Sequence, residues 1–396
     1  MRLSAVVVLM VAASASAQTI SGLWDATVMS GGVEIPFRME FAGDGPSARG
    51  WFFNGDVKVR STSGEFAQGH LVLNFDYYGA KLDATLKDGV LEGTYTRAGR
   101  ATAFHAKRFA PSTLTEADVP QIAGLWEIAV KSSKGEAAWR FIVRQSGPEV
   151  SAAILRVDGD TGALEGTYRD GKFVLSHFSG ARPMLLEVTA EKDGTLELLE
   201  NRRTKMTAIR SAEARAKGLP EPTDPSRHTS VQDPTAPLHF SAPDLDGKMV
   251  SDTDARFRNK VVIVAIGGSW CPNCHDEAPF LVELYKKYHA RGLEIVDLSF
   301  EEGDQLRNPT RLRAFIQEYE IPYTVLLAGE TGQLHEKLPQ AVNLNAWPTT
   351  FFVGRDGLVK SVHAGFAAPA SGEFHDELKA DVDRLVEGLL ADVAEK

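Results

Sequence analysis

The feature that most constrains the fold of this chain is a change of hydrophobic period at a proline-rich stretch. Before it, short runs of alternating apolar and polar residues end at glycines, as in HLVLNFDYYG and PMLLEVTAEKDG. After it, the buried-strand pattern KVVIVAIGG is followed by the helical pattern HDEAPFLVELYKKYHARG. Period-two alternation indicates antiparallel strands, and the later alternation of strands and helices indicates an α/β domain. The sequence therefore predicts a multidomain protein, all-β first and α/β second.

The all-β part divides into two related units, residues 18–110 and 119–210. GLW stands near the start of each unit, with Trp24 and Trp126, and LEGTY occurs once in each. The GLW resembles the G-x-W of the first strand in lipocalin-type barrels, and a tryptophan plugging the end of a barrel or sandwich is an equal interpretation. A meander of about eight short strands closes into a barrel, which removes exposed sheet edges. One sheet that spans both units is an alternative.

The beginning of the chain predicts export. Arg2, a following apolar stretch and the A-x-A site that ends at Ala17 are typical of a secretory signal peptide, residues 1–17, cleaved after Ala17. No later stretch reaches the roughly 18 apolar residues that a membrane span needs. We therefore expect a periplasmic or cell-envelope protein without stable membrane insertion. A net charge of −10 argues against nucleic acid as a partner.

A proline-rich linker, residues 211–237, is predicted between the β units and the α/β domain, residues 238–396. Five prolines and many polar residues lie between positions 217 and 237. Proline density of this kind is typical of an extended, semi-rigid connection. The β units are therefore expected to be joined to the last domain by a spacer.

The only two cysteines, Cys271 and Cys274, lie in SWCPNCHDEAP. This stretch can be a C-x-x-C redox dithiol or, with His275, a C-x-x-C-H haem attachment signature. A disulfide across so short a loop contributes little to stability through chain entropy, so the pair is predicted to be chemical. The buried strand before the motif disfavours haem. His275 is then expected to face solvent, and the histidines show no metal-ligand spacing.

The dithiol is predicted to lie where a strand ends and a helix begins. Free backbone N–H groups and the helix dipole at such a place stabilise an anion, which favours the thiolate form of Cys271. Pro272 suits the first helical position, where its missing N–H costs nothing. Cys274, one turn later, can resolve a mixed disulfide with Cys271.

The stretches WCPNC, Glu277-Ala278-Pro279, WPTTFFVGRDG (347–357) and FSAPDLDGKMVS (240–251) together resemble the thioredoxin superfamily, in particular extracytoplasmic thiol–disulfide reductases of the TlpA/ResA type. The resemblance covers about residues 238–392, under half of the chain. It says nothing about the β units.

The resemblance implies a substrate-binding strip beside the dithiol. Pro348 is expected in the cis form, and the backbone of Trp347 is expected to pair with a substrate segment like an added strand. Thr349 follows in the same strip. Trp270 is expected to form a flat wall over the dithiol, next to Pro272.

The resemblance also implies a proton-handling acid. Glu277 follows Cys274 by three residues, which places it on the same side of a helix. Thioredoxin itself uses a buried acid on the preceding strand, but the position six before Cys271 is Ala265. Glu277 is therefore the predicted acid.

These observations predict an exported thiol–disulfide oxidoreductase, a protein-disulfide reductase rather than an oxidant. Its redox group is the Cys271–Cys274 disulfide and no other cofactor or metal is expected. The resemblance implies protein disulfides as substrates and a membrane thiol donor of the DsbD/CcdA kind. The alternatives are a thiol oxidant or isomerase of the same fold, and a ligand-binding protein whose β units carry the function. A peroxiredoxin is the nearest enzymatic alternative. Its pattern around the peroxidatic cysteine is P-x-x-x-T-x-x-C, but Val264 and Gly268 occupy the proline and threonine positions here.

Overall fold

A computed structural model describes residues 19–111 and 119–392. The predicted signal peptide lies outside the described residues. Within them, the fold class agrees with the prediction: two all-β units precede a thioredoxin-like α/β domain. No helix in the described ranges is both long and apolar enough to cross a membrane.

The first β unit is a nine-stranded antiparallel meander. Its strands are β1 (Gly22–Ser30), β2 (Val33–Ala42), β3 (Arg49–Asn54), β4 (Val57–Arg60), β5 (Ser63–Ala67), β6 (His70–Phe75), β7 (Ala80–Lys87), β8 (Val90–Arg97) and β9 (Arg100–Arg108). The sheet order is β4-β3-β2-β1-β9-β8-β7-β6-β5, so the first strand pairs with the last. Its two ends, β4 and β5, are consecutive in the chain. The unit is therefore barrel-like with β4 and β5 not paired to each other, and Gly45, in the loop between β2 and β3, forms an isolated bridge with Phe66 of β5.

The second β unit is a closed barrel. Its strands are β10 (Gly124–Ala129), β11 (Ala138–Ser146), β12 (Glu149–Arg156), β13 (Gly159–Asp160), β14 (Leu164–Arg169), β15 (Lys172–His177), β16 (Met184–Ala190), β17 (Leu196–Glu200) and β18 (Thr204–Arg210). β10 pairs with β18, and β11 pairs with β12, which closes the ring. The short β13 lies outside the ring and pairs only with the end of β12. The two units are separate sheets, so the single-sheet alternative is wrong.

The segment predicted as an extended linker is partly folded. It contains α1 (Ser211–Ala216), α2 (Pro225–His228) and β19 (Ser230–Val231). Asp224 caps α2, because its side chain accepts a bond from the N–H of Ser226 at 2.9 Å. His228 is buried, and its Nε2 lies 2.7 Å from Oδ1 of Asn345. The proline-rich stretch is thus packed onto the last domain rather than spacing it away.

The described part of the α/β domain contains eight strands, five of which form its main sheet. Its strands are β20 (Ser241–Pro243), β21 (Met249–Ser251), β22 (Val261–Gly267), β23 (Leu293–Glu301), β24 (Thr324–Glu330), β25 (Ala341–Val342), β26 (Thr349–Val353) and β27 (Val359–Ala364). Its helices are α3 (Pro272–Tyr288), α4 (Gly303–Arg307), α5 (Thr310–Glu318), α6 (Leu334–Lys337) and α7 (Glu373–Ala391). The main sheet has the order β24-β23-β22-β26-β27, while β19 pairs with β25 and β20 with β21. β22 is the central strand, and all seven of its residues are buried.

Candidate active site

The two cysteines lie at the start of α3, directly after the central strand. Cys271 is the N-cap residue of this helix, and Pro272 occupies its first turn. The backbone N–H of Cys274 donates to Sγ of Cys271, with a nitrogen–sulfur distance of 3.3 Å. The sulfurs are not joined, so the structure describes the reduced pair. The sulfur of Cys271 therefore lies at the N-terminus of α3, where the helix dipole is positive.

A buried ion pair holds the turn that carries the dithiol. Arg311 and Glu301 are joined at 2.8 Å, and their side chains are 8% and 0% exposed. Glu301 accepts from the backbone N–H of Ser269 at 2.6 Å, and Arg311 donates to Oγ of Ser269 at 2.8 Å. Because buried charges are costly unless fully paired, this arrangement tolerates little displacement of Ser269. The turn is therefore fixed from the side of β23 and α5.

Glu277 is buried on α3, three residues after Cys274. Burial raises the pKa of Glu277 to about 8, although Oε1 accepts a hydrogen bond from Thr350 Oγ1 at 2.8 Å. Burial first, and then the neighbouring Cys271 and Glu277, raise the pKa of Cys274 well above its ordinary value. Below pH 8 the carboxyl group therefore keeps a proton, and so does the second thiol.

Asp297 is a second buried acid near the dithiol, which the sequence reasoning missed. It stands opposite Ala265 in the parallel β22–β23 pair, where the preceding strand carries no acid. Burial, and then the charge of Glu301, raise its pKa to about 7. Its Oδ1 is buried and has no hydrogen-bond partner among the described residues. The signal in the sequence was a lone aspartate within the apolar strand LEIVDLSF.

Asp297 and Cys274 border the same small space at the end of β22. A Cβ atom on Gly267 would lie 3.4 Å from Sγ of Cys274 and 3.8 Å from Oδ1 of Asp297. Only a residue without a side chain leaves this space open. The second thiol therefore has two buried carboxyl groups in its surroundings, Glu277 on α3 and Asp297 on β23.

The residues predicted to bind substrate include Trp270 and Trp347, which line one cleft with Cys271. The Trp347–Pro348 peptide bond is cis, as predicted. The rings of Trp270 and Trp347 meet edge to face with centroids 5.4 Å apart. Trp270 is held in place because its Nε1 donates to the carbonyl of Phe300 at 2.8 Å. Thr349 is different: its side chain is fully buried and donates to the carbonyl of Ala346, so it does not line this surface.

A cleft of about 390 Å³ opens over the dithiol between two domains. Trp270, Cys271, Pro272 and Trp347 line one side of it, so four of the predicted site residues come together here. The second β unit supplies the other side, with Lys134, Arg156, Asp158, Asp160, Arg182 and Glu200 among its residues. Cys271 itself is only 3% exposed. The site is therefore shared between the α/β domain and a unit that the sequence did not connect with it.

The prediction that His275 faces solvent is wrong. His275 is 2% exposed, and its ring stacks on Tyr78 with centroids 4.2 Å apart. Its Nε2 lies 2.9 Å from the carbonyl of Ser269, and its Nδ1 lies 3.0 Å from the hydroxyl of Tyr319. Burial lowers its pKa to about 3, so the ring is neutral. The cause is the first β unit, which covers the flank of α3 that an isolated domain would expose.

Both β units also contact the loop and first turn of the dithiol. Arg97 of the first unit donates to the carbonyl of Trp270 at 2.9 Å. Asn273, which lies between the two cysteines, donates to the carbonyl of Asp158 in the second unit at 2.5 Å. Within residues 19–111 and 119–392, no three histidine, cysteine, aspartate or glutamate side chains are grouped as a metal site would require.

A five-stranded sheet in this order, with a C-x-x-C pair at the start of the helix after its central strand, defines a thioredoxin-like protein. The AhpC/TSA family profile matches residues 234–362. The thiol–disulfide oxidoreductase ResA of Geobacillus thermodenitrificans is 30% identical over 131 residues, which cover 33% of this chain and 68% of that protein. Through its C-terminal domain, the chain belongs to the ResA-type thiol–disulfide oxidoreductase family.

Other relatives agree in name and extent. ResA of Bacillus thuringiensis is 31% identical over 123 residues, which cover 31% of this chain and 63% of that protein. The chain thus spans under two thirds of the length of this relative. A thioredoxin-family thiol:disulfide interchange protein from Chlorobium tepidum, whose structure is solved, is 28% identical, with a TM-score of 0.31, and the match covers 41% of this chain and all of that one.

Proposed function

We propose that this protein is an exported thiol–disulfide oxidoreductase that reduces disulfides through Cys271 and Cys274. One observation carries the proposal: the sulfur of Cys271 caps α3, accepts a backbone N–H, and lines a cleft large enough for a substrate. The thiolate form of such a cysteine is the nucleophile of disulfide exchange.

The reaction balances with the two thiols alone. The Cys271 thiolate attacks one sulfur of a substrate disulfide, forms a mixed disulfide, and releases the other substrate sulfur as a thiolate. Cys274 then loses its proton and attacks the sulfur of Cys271, which releases the second substrate thiolate. The substrate gains two electrons, and the protein is left with a Cys271–Cys274 disulfide.

Glu277 and Asp297 are the acids we assign to the proton of Cys274. The raised pKa values of these acids, about 8 and about 7, lie near neutral pH, where a general base or acid works best. Glu277 sits one turn after the thiol. Asp297 lies across Gly267 from it, with an oxygen that has no other partner among the described residues.

The first test separates attack from resolution. Cys271→Ala is expected to abolish reduction of insulin disulfides, since no other thiol lies in the cleft. Cys274→Ala is expected to keep the attack and to accumulate a mixed disulfide, which intact-protein mass spectrometry detects. Full activity in Cys271→Ala would overturn the proposal.

The second test concerns the proton. Glu277→Gln removes the titrating group but keeps its shape and its contact with Thr350. We expect exchange to slow several-fold, about 2- to 10-fold, less than the loss of a lone general acid–base group, because Asp297 can still take up the proton. Stopped-flow measurement of the second, resolving step checks this. An unchanged rate across pH 6 to 9 would remove Glu277 from the mechanism.

The direction of electron flow follows from the reduction potential of the pair. We propose a reductase, served by a membrane thiol donor of the DsbD/CcdA kind, as the resemblance implies. Equilibration with glutathione buffers should then give a value near or below about −230 mV. A value between about −180 and −120 mV would indicate an oxidant or isomerase.

Export is part of the proposal and rests on the signal-like N-terminus. Expression of the full chain with its first 17 residues should yield a mature protein that begins at Gln18. Intact mass and N-terminal sequencing of the cell-envelope fraction test this. A full-length chain retained in the cytoplasm would contradict it.

Peroxidase activity is not proposed, although the matching profile includes the AhpC family name. A threonine at Gly268 would be needed to complete the peroxidase pattern. A Cβ atom there would lie 2.4 Å from both the carbonyl oxygen of Phe300 and Nε1 of Trp270. The turn therefore has no room for that side chain.

A further inference from the structure

Residues 157–160, which form the turn after β12 and the two-residue strand β13, project from the second β unit onto the α/β domain. We refer to these four residues as the tip. Val157 is 2% exposed and packs with Ala346 and Ala364 in a small cluster of its own. Ala346 directly precedes Trp347, and Ala364 ends β27. The tip thus covers the strip that runs beside Pro348, next to the dithiol.

The contact is made backbone to backbone. A Cβ atom on Gly365 would lie 2.3 Å from the carbonyl oxygen of Val157. A Cβ atom on Gly159 would lie 2.4 Å from the carbonyl oxygen of Phe366. Both glycines have positive φ, 70° and 112°, which other residues rarely adopt. Each of the two segments has a glycine where the other approaches, so their backbones come into direct contact.

Hydrogen bonds complete the attachment of the tip. The buried carboxylate of Asp160 accepts from the N–H of Ala368 at 3.0 Å and from the hydroxyl of Ser371 at 2.6 Å. Asn273, between the two cysteines, donates to the carbonyl of Asp158. The tip is therefore bonded both to the dithiol loop and to the segment after β27.

This arrangement limits what can reach Cys271. The thiol is 3% exposed, and the space left over it is the cleft of about 390 Å³. A volume of this size holds a small molecule, since ligand pockets run from about 300 to 1,000 Å³. A disulfide on the surface of a folded protein would bring a much larger body against the tip.

We propose that the tip sets the substrate size of the dithiol. Low-molecular-weight disulfides reach Cys271 through the cleft while the tip is seated, whereas a protein disulfide reaches it only after the tip has been displaced. The proposal rests on the proposed function and uses the same exchange: the small disulfide gains two electrons, leaves as two thiols, and Cys271 and Cys274 become the disulfide.

The test compares two substrates on the full-length mature protein, with dithiothreitol as the reductant. Val157→Asp places a charge in the alanine cluster, and Asp160→Ala removes the acceptor of the Ala368 and Ser371 bonds. Matched controls are Val57→Asp and Asp193→Ala, at exposed positions of other turns and strands. The substrates are hydroxyethyl disulfide and insulin.

Each tip variant is expected to increase kcat/KM for insulin about tenfold or more. Val157→Asp, whose residue does not line the cleft, is expected to leave kcat/KM for hydroxyethyl disulfide within about twofold. The controls should match the parent protein with both substrates. An unchanged insulin-to-small-disulfide ratio in both tip variants would overturn the role of the tip while leaving the proposed function intact. Failure of every form to reduce either substrate would overturn both.

A second measurement needs no variant and so does not depend on how the variants fold. The reduced parent protein is treated with iodoacetamide or with a maleimide carried on a folded protein, and the modification of Cys271 is followed by mass spectrometry. We expect rapid reaction with the small reagent and reaction with the bulky one slowed by about a hundredfold or more relative to a free thiol. Equal accessibility to both reagents would contradict the proposal.

Discussion

The two β units begin alike and differ where they meet the dithiol. In the first, Nε1 of Trp24 donates to the carbonyl of Ile20 at 2.7 Å, and Arg108 lies over the ring at 4.5 Å. In the second, Nε1 of Trp126 donates to the carbonyl of Ile122 at 2.9 Å, and Arg210 lies over the ring at 3.9 Å. Each arginine stands opposite its tryptophan on the neighbouring strand. The two barrel ends therefore have the same arrangement of tryptophan and arginine.

The contacts that the two β units make with α3 differ from each other. The first unit offers aromatic surface, with Tyr78 stacked on His275. The second offers polar groups around an open cleft, through the tip and Arg182, which donates to the carbonyl of Asp160 at 2.8 Å. Apolar stacking supports the helix, while hydrogen bonds around a cleft can be exchanged for those of a substrate. One unit therefore packs aromatic rings against α3, and the other forms a polar wall of the cleft.

The largest expected effect is at Asp276, where both units meet α3. Asp276 accepts from Asn54 of the first unit at 3.3 Å and lies 3.4 Å from Arg182 of the second. Burial raises its pKa to about 7, against the opposing effect of Arg182 and with a further increase from Asp160. The folded state then binds more protons than the unfolded state between about pH 4 and pH 7, so stability falls as pH rises through that window.

The side chain in Asp276→Asn cannot ionise, so this variant should lack the part of the pH-dependent loss of stability that Asp276 causes. Its advantage over the parent protein in the free energy of unfolding should grow from pH 4 to pH 8, by at most about 4 kcal/mol. Urea unfolding at both pH values measures it. Glu277 and Asp297 titrate in the same range, so the difference between the two proteins is the quantity to compare, with Asp297→Asn as the matched variant inside the α/β domain. A difference that is constant with pH would show that Asp276 is not the titrating group.

The next effect tests the supporting role of the first unit. Tyr78→Ala removes the ring that covers His275 and should destabilise the protein by about 3 kcal/mol, as for other buried aromatic residues. Tyr78→Phe keeps the stack and should cost far less, since no hydrogen bond of the hydroxyl is present in the described structure. Thermal unfolding of both variants measures this. Equal effects would mean that the hydroxyl, not the stack, matters.

The smallest effect tests how alike the barrel ends are. Arg108→Ala and Arg210→Ala each remove a cation from a tryptophan face, a contact worth about 0.5 to 1 kcal/mol at exposed sites. Similar losses of stability in the two variants would support the view that the two barrel ends are equivalent. A loss in only one of them would break it. Chemical unfolding, followed by tryptophan fluorescence, reports on both barrel ends.

Local chemistry explains what could be predicted from the sequence. Cys271 follows a strand pattern and precedes a helix pattern, so its place at the helix start was readable. Pro348 lies in a motif whose conformation is tied to its immediate neighbours. Glu277 is three residues from Cys274, and helical spacing alone places it.

The rest could not be predicted because it depends on residues distant in the chain. His275 is buried by Tyr78, almost two hundred positions earlier. Asp160 carries no local sign of its bonds to Ala368 and Ser371, because a polar residue near a hairpin turn is ordinary in any β protein. Asp297 was visible as an oddity in an apolar strand, but its nearness to Cys274 follows from strand pairing.

The closed barrel of the second unit has a consequence for how the protein is made. Its core is a separate cluster that contains no residue of the α/β domain. Domains generally fold in order from the N-terminus, so this barrel can be complete before the segment that carries Cys271 has emerged into the compartment where the protein folds. The two cysteines would then pack against a barrel that has already folded. Their thiols would be exposed for less time to other thiols and disulfides.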